Sequence, residues 1–297
     1  MLADDILRLK EEKNAVILAH NYQPGDVQDV ADLRGDSLEL SRAAAREEAD
    51  LIVFCGVDFM AETAAILSPE KRVILSGAGA CCPMAQMITG RELRGFKAEH
   101  PAAAVVCYVN SSAEVKAESD ICCTSANGIE VVASLSEETV LFVPDRNLGR
   151  YVARFTDKKI IPWDGYCYVH DRYTTDDVLR AKSLHPEAEV LVHPECRPEV
   201  IDLADGVYST SGMARRALES PAREFIIGTE VGMNYRLKKD NPGKEFYPLS
   251  EGAICVDMKK TTLEKVLSAL VTLEPRVVVP KEIADRARGA IERMLEV

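Results

Sequence analysis

The chain has no long hydrophobic run, few aromatic residues and a deficit of positive charge, and these shortages remove whole classes of function. No stretch approaches the roughly 20 consecutive apolar residues that a helix needs to cross a bilayer, so a membrane-spanning protein is not expected. Lysine and arginine number 36 against 48 acidic residues, a formal charge of −12. That balance argues against a non-specific nucleic-acid binder or a basic membrane-surface protein, while leaving room for a local anion site. The opening Met1-Leu2-Ala3-Asp4-Asp5-Ile6 is acidic and amphipathic, unlike a secretory leader, so a cytoplasmic location is expected. No Gly/Ser-rich linker, low-complexity segment or close C-x-x-C pair occurs either.

What is present suits a folded enzyme-sized body. With 297 residues, 47% apolar and 28% charged, the chain can bury a large core or build two or three small domains. Nine cysteines are an odd number, and a reducing compartment disfavours structural disulfides. If these thiols bind something, the ligands come from far apart in sequence.

Continuous apolar runs alternate with helical patterns, as parallel strands buried on both faces require. A helix is expected over residues 4–13, strands over 15–19, 51–55 and 73–75, and helices over 38–48 and 59–67. This is a βαβαβ order. The third strand leads into Ser76-Gly77-Ala78-Gly79-Ala80-Cys81-Cys82-Pro83, a glycine-rich turn closed by a thiol pair.

The pattern then repeats. Cys82, Cys167 and Cys255 are separated by 85 and 88 residues, and each follows a short extended segment. The strand-end residues His20, Tyr108 and His193 are separated by 88 and 85, with Tyr22, Asn110 and Glu195 two positions on. Asp32, Asp120 and Asp205 each stand five residues before a hydroxyl, Ser37, Ser125 and Thr210. Leading helices start near Thr89 and Thr174. A threefold internal repeat is predicted, with units 1–85, 86–171 and 172–274, the first two ending just after their cysteine. A helix over 261–270, a strand over 276–279 and a closing helix over 282–295 follow, and the stretch 275–297 is expected to pack on the first unit.

In open parallel sheets ligands sit at the carboxyl ends of strands, where every notable polar residue here falls. Hydroxyls before helices, Ser37, Ser125 and Thr210 with its neighbour Ser209, are candidate anion anchors, although most such residues are plain caps. Cys55 and Cys107 read as small core residues. Cys81, Cys122, Cys123 and Cys196 have no counterparts in the other units, so only Cys82, Cys167 and Cys255 form a repeating set. Three converging thiolates suit zinc with an open position, or an iron–sulfur cluster with one iron free to act as a Lewis acid. Glu195 and Tyr22 are the candidate acid–base pair. His170 is a candidate wall residue, and residues 21–30 are a candidate lid. A zinc enzyme acting on a phosphorylated substrate and a non-catalytic cluster sensor are the other classes this set of thiols allows.

These residues together resemble the quinolinate synthase family. The matching elements include Ala19-His20-Asn21-Tyr22, Cys82-Pro83-Met84-Ala85, Tyr108-Val109-Asn110 and Thr124-Ser125-Ala126-Asn127. Further matches are Gly165-Tyr166-Cys167 with His170, His193-Pro194-Glu195-Cys196, Ser209-Thr210-Ser211-Gly212, Gly228-Thr229-Glu230 and Cys255-Val256-Asp257-Met258. The resemblance implies an α/β fold of three pseudo-threefold-related αβα units, each a small parallel sheet flanked by helices, with the active site on the central axis. It implies condensation of iminoaspartate with dihydroxyacetone phosphate to quinolinate in NAD biosynthesis, losing phosphate and two waters. It also implies a 4Fe–4S cluster held by Cys82, Cys167 and Cys255, and a link to the enzyme that supplies iminoaspartate. His20, Tyr22, Ser37, Tyr108, Asn110, Ser125, His193, Glu195, Ser209 and Thr210 would line the substrate site. Glu195 and Tyr22 would move protons, and His20 and His193 would polarise or position substrate oxygens. Cys81 stands beside the expected ligand, and the Pro-Met-Ala frame favours Cys82. No cysteine follows Cys255, so a C-terminal regulatory disulfide is not expected.

Overall fold

The computed structural model describes residues 2–297. The apolar runs form the central strands of three four-stranded sheets, every pairing parallel. The first sheet contains β1 (Ala15–His20), β2 (Leu33–Gly35), β3 (Leu51–Cys55) and β4 (Arg72–Leu75) in the order β2-β1-β3-β4. In the second, β5 (Ala104–Tyr108), β6 (Ile121–Cys123), β7 (Thr139–Val143) and β8 (Lys159–Pro162) take the order β6-β5-β7-β8. In the third, β9 (Glu189–Val192), β10 (Gly206–Val207), β11 (Glu224–Gly228) and β12 (Glu245–Pro248) take the order β10-β9-β11-β12. One permutation is used three times, so the chain is α/β with three αβα units.

Burial explains why the central strands carry no alternation. All five residues of β3 and all five of β5 are buried, because helices cover both faces of each sheet. The helices begin where their caps predict. Thr89 closes a capping box with Glu92, Thr174 does so with Asp177, and Asp36 does so with Glu39.

The three repeating aspartates have a structural task. Asp32 Oδ2 accepts the N–H of Ile17 at 2.8 Å, Asp120 Oδ2 that of Val105 at 2.7 Å and Asp205 Oδ2 that of Val190 at 2.8 Å. Each backbone N–H of the same aspartates donates to the carbonyl of the same partner. Asp32, Asp120 and Asp205 therefore clip the chain entering the short edge strand to the central strand beside it. That clip delivers the following hydroxyl to the sheet's carboxyl end.

The structure departs from expectation in two places. The edge strands β2, β6 and β10 were not predicted, and they place Cys122 and Cys123 on β6, with Cys122 opposite Cys107 of β5. No strand forms over 276–279: Arg276 makes a single antiparallel bridge to Ile74, and Val277 donates its N–H to Val73 at 2.8 Å. Pro275 and Pro280 flank this run and cannot donate to a ladder, and Val278 is left 72% exposed. The closing helix Lys281–Glu296 packs on the helix Asp58–Leu67 of the first unit and on the helix Ala113–Ala117 and β6 of the second. Arg288 donates to Ile66 O at 2.8 Å, and Asn127 donates to Met294 O at 3.2 Å, so this helix bridges two units.

Candidate active site

The carboxyl ends of the central strands face one cavity, walled by all three units. The first unit contributes His20, Tyr22, Ser37 and Cys82. From the second come Tyr108, Asn110, Ser125 and Cys167, and from the third His193, Glu195, Thr210 and Cys255. Ser209 lies outside the lining: it caps the helix Thr210–Glu219, accepting the N–H of Gly212 at 3.2 Å and donating to Asp36 Oδ2 at 3.1 Å. Asp36, Phe59, Met84 and Met258 also line the wall, with no prediction from spacing. None of the three repeating hydroxyls is itself a cap. Ser37 and Thr210 are the first residues of their helices, after the caps Asp36 and Ser209. Ser125 stands two residues before Asn127, the cap of the helix Gly128–Ser134.

The segment after β1 is anchored. Gln28 donates to the carbonyls of Asn21 at 3.1 Å and Gln23 at 2.9 Å, and Asn21 donates to Thr210 Oγ1 at 2.8 Å. Residues 25–30 form a helical turn, and Gly25 fits because Tyr235 lies against it; a Cβ there would meet the tyrosine ring at 2.4 Å.

One turn serves both strand-end histidines. His20 Nδ1 accepts the N–H of Tyr22 at 3.2 Å, and His193 Nδ1 accepts that of Glu195 at 3.3 Å. In the neutral form this leaves the proton on Nε2 of each ring. Burial, then the neighbouring His193, pushes His20 down to about 3. His193 is also lowered, by burial and then by His170.

Glu195 and Tyr22 do not touch; a chain of polar contacts joins them. Glu195 Oε2 lies 2.9 Å from His170 Nδ1 and 3.1 Å from His193 Nδ1. The His170 contact is close but not aligned as a hydrogen bond, and Glu195 Oε1 is buried without a partner. His170 Nε2 lies 2.9 Å from Thr229 Oγ1, which lies 2.5 Å from the Tyr22 hydroxyl. Tyr173 fixes this residue by donating to Thr229 O at 2.7 Å. Burial alone raises the Glu195 carboxyl, but His170 and His193 outweigh it and hold Glu195 below the ordinary range. Tyr22 and Tyr108 are raised by burial and remain neutral phenols.

The three cysteines share a local design. Backbone N–H groups just downstream favour each thiolate: those of Ala85 and Met84 for Cys82, that of His170 for Cys167, and those of Met258 and Asp257 for Cys255. Burial pushes all three thiols up, against the pull of these donors. Buried sulfurs with N–H groups aimed at them suit thiolates neutralised by a soft metal. Among the described residues, only Cys167, His170 and Glu195 form a three-residue set with ligand atoms within 4.8 Å of one another. Cys81 faces elsewhere, its N–H donating to Asp257 Oδ1 at 3.2 Å.

Thr229, Asp145 and Lys259 carry the site without having stood out by spacing. Lys259 pairs with Glu230 at 2.9 Å and also donates to the carbonyl of Tyr22, tying the third unit to the first. Asp145 is fully buried beside Cys167. Thr229 and Asp145 follow the third strand of their units, and that register was the available signal.

Three parallel αβα units closing on one buried, thiol-lined cavity with acid–base groups define an α/β enzyme with a metal-binding site. The family model of NadA, quinolinate synthetase A protein, matches residues 4–296, and the chain belongs to that family. It is 68% identical to the quinolinate synthase of Methanoregula boonei, over 99% of this chain and 98% of the relative. It is 58% identical to that of Dehalococcoides mccartyi and 57% identical to that of Methanothermobacter thermautotrophicus, each over 100% of this chain and 98% of the relative.

Proposed function

We propose that this chain condenses iminoaspartate with dihydroxyacetone phosphate to give quinolinate, phosphate and two waters, a redox-neutral balance, in NAD biosynthesis. The observation that carries this is the meeting of Cys82, Cys167 and Cys255 with Glu195, Tyr22, His20 and His193 in one cavity. Cys82, Cys167 and Cys255 would hold a 4Fe–4S cluster, leaving one iron without a protein ligand. When bound, that cluster supplies a Lewis acid beside the substrate's hydroxyl and carbonyl groups, which favours loss of water.

The protein's own groups do the rest. Ser37 and Thr210, at the starts of ten-residue helices, offer hydroxyls to carboxylate or phosphate oxygens. Ser125 adds a third hydroxyl from the second unit. His20 and His193 present Nε2–H donors that hold substrate oxygens. Asn110, whose Oδ1 is buried without a partner, and Tyr108 fix the substrate's orientation. Glu195 takes a proton through its free Oε1, while His170 and Thr229 connect it to the Tyr22 hydroxyl. Iminoaspartate hydrolyses in water, so the reaction that makes it must deliver it promptly.

The test is quinolinate formation from the two substrates under argon, by protein carrying about four irons and four sulfides per chain. Turnover that requires iron and sulfide is expected. Colourless protein holding a single zinc, or cluster-loaded protein that makes no quinolinate, would overturn the proposal.

A further inference from the structure

Each candidate ligand cysteine is held from behind by a carboxylate of its own unit. The N–H of Cys82 donates to Asp58 Oδ1 at 3.3 Å, that of Cys167 to Asp145 Oδ2 at 3.2 Å, and that of Cys255 to Glu230 Oε1 at 3.2 Å. The three acids are separated by 87 and 85 residues, the period of the whole repeat. Each stands two or three residues after the third strand of its unit.

These side chains also bind their own turns. Asp58 Oδ1 accepts the N–H of Phe59 at 2.8 Å, Asp145 Oδ1 that of Leu148 at 2.7 Å, and Glu230 Oε2 that of Gly232 at 2.7 Å. A second bond closes each loop two residues before the cysteine. Asp58 N–H donates to Ala80 O at 3.0 Å, Arg146 N–H to Gly165 O at 2.8 Å, and Val231 N–H to Ala253 O at 3.0 Å. Every cysteine loop is thus gripped at two points by the end of the strand next to it. A plain helix cap explains the Asp145–Leu148 contact, but not the bonds to the cysteine N–H groups or the bonds that close the loops. Asp145 and Glu230 are fully buried, and Glu230 is also paired with Lys259 at 2.9 Å.

We propose that Asp58, Asp145 and Glu230 are a threefold set of positioning residues that fix the backbones of Cys82, Cys167 and Cys255 for an iron–sulfur centre. The proposal rests on the three-cysteine cluster put forward above. Its test is reconstitution with ferrous iron and sulfide under argon, followed by the rate of iron release to a ferrous chelator. Asp145→Ala and Asp58→Ala should release iron about 10–100-fold faster than the unmutated protein, the usual loss when a metal ligand's support is removed. Asp145→Asn keeps an acceptor oxygen and should recover most of the retention. Thr174→Ala removes a cap of similar kind from the helix Thr175–Leu184, away from the cysteines, and should release iron at the unmutated rate. Should Asp145→Ala not fold, the half-buried Asp58 decides the matter. Alanine variants that hold iron as well as the unmutated protein would overturn the proposal. Equal acceleration by Thr174→Ala would also overturn it, because general loosening would then suffice. Failure of the unmutated protein to take up iron and sulfide would instead defeat the cluster itself.

Discussion

His20 and His193 occupy the same strand-end position in the first and third units, and each accepts through Nδ1 the N–H of the residue two places on. The repeat therefore gives both rings the same backbone partner, and both rings line the cavity. Burial then resists charging, most clearly at His20, which is pushed down to about 3.

That shift has a sign for stability. Below its ordinary value near 6.5, His20 is protonated in the unfolded chain but not in the folded one until about 3. The unfolded state binds the extra proton, so the apoprotein should lose stability as pH falls from 6.5 toward 5. The His20 contribution steepens from about 0.7 kcal/mol per pH unit at pH 6.5 toward about 1.4 at pH 5. Denaturant unfolding at pH 7, 6 and 5 checks this, and His20→Gln should flatten the slope by about that amount. An unchanged slope would show that His20 is charged in the fold.

Glu195→Gln should keep the iron and sulfide content and lower kcat by about 100- to 10,000-fold. The amide is nearly isosteric, so His170 and His193 stay in place, but it cannot take a proton. Iron analysis beside single-turnover quinolinate assays separates the two effects. Retained turnover would remove Glu195 from proton transfer.

Much of this was legible in the chain because burial on both faces leaves an unmistakable mark. The runs at β1, β3, β5 and β7 are continuously apolar, and the cysteine and strand-end periods matched the three sheets. The edge strands β2 and β10, three and two residues long, are too short for any period to show. The run 276–279 looked like a strand because β-branched residues dominate it, and the flanking prolines prevented a ladder. Asp32, Asp120 and Asp205 were visible as a register, but only the coordinates reveal that they clip edge strands. Thr229 was visible only within the Gly228-Thr229-Glu230 match, without a role, for a different reason. Its importance lies in meeting Tyr22 and His170 from two other units, and spacing within one unit does not reveal contacts across an axis.

The adjacent thiols at 81 and 82 have different surroundings, so their serine variants should behave differently. Cys82 lines the cavity and its N–H is held by Asp58, whereas Cys81 is half-exposed and turns to Asp257. Cys82→Ser should abolish the visible absorption of the reconstituted cluster, and Cys81→Ser should leave it within about 20% of normal, because surface changes are nearly neutral. The reverse pattern would move the ligand to Cys81.

Thr229 gives the most direct check on how Tyr22 takes part. Its hydroxyl is the one group within hydrogen-bond reach of both the Tyr22 hydroxyl, at 2.5 Å, and His170 Nε2, at 2.9 Å; the phenol and imidazole themselves stand 3.5 Å apart. Thr229→Val keeps the shape and removes the link, leaving a buried phenol and imidazole without their shared partner. kcat should fall about 100-fold with cluster content unchanged, and Thr229→Ser, which restores the hydroxyl, should recover most of it. A loss confined to KM would assign Thr229 to substrate binding. Unaltered turnover in the valine variant would mean that Tyr22 and Glu195 act independently, each exchanging its proton with substrate or water.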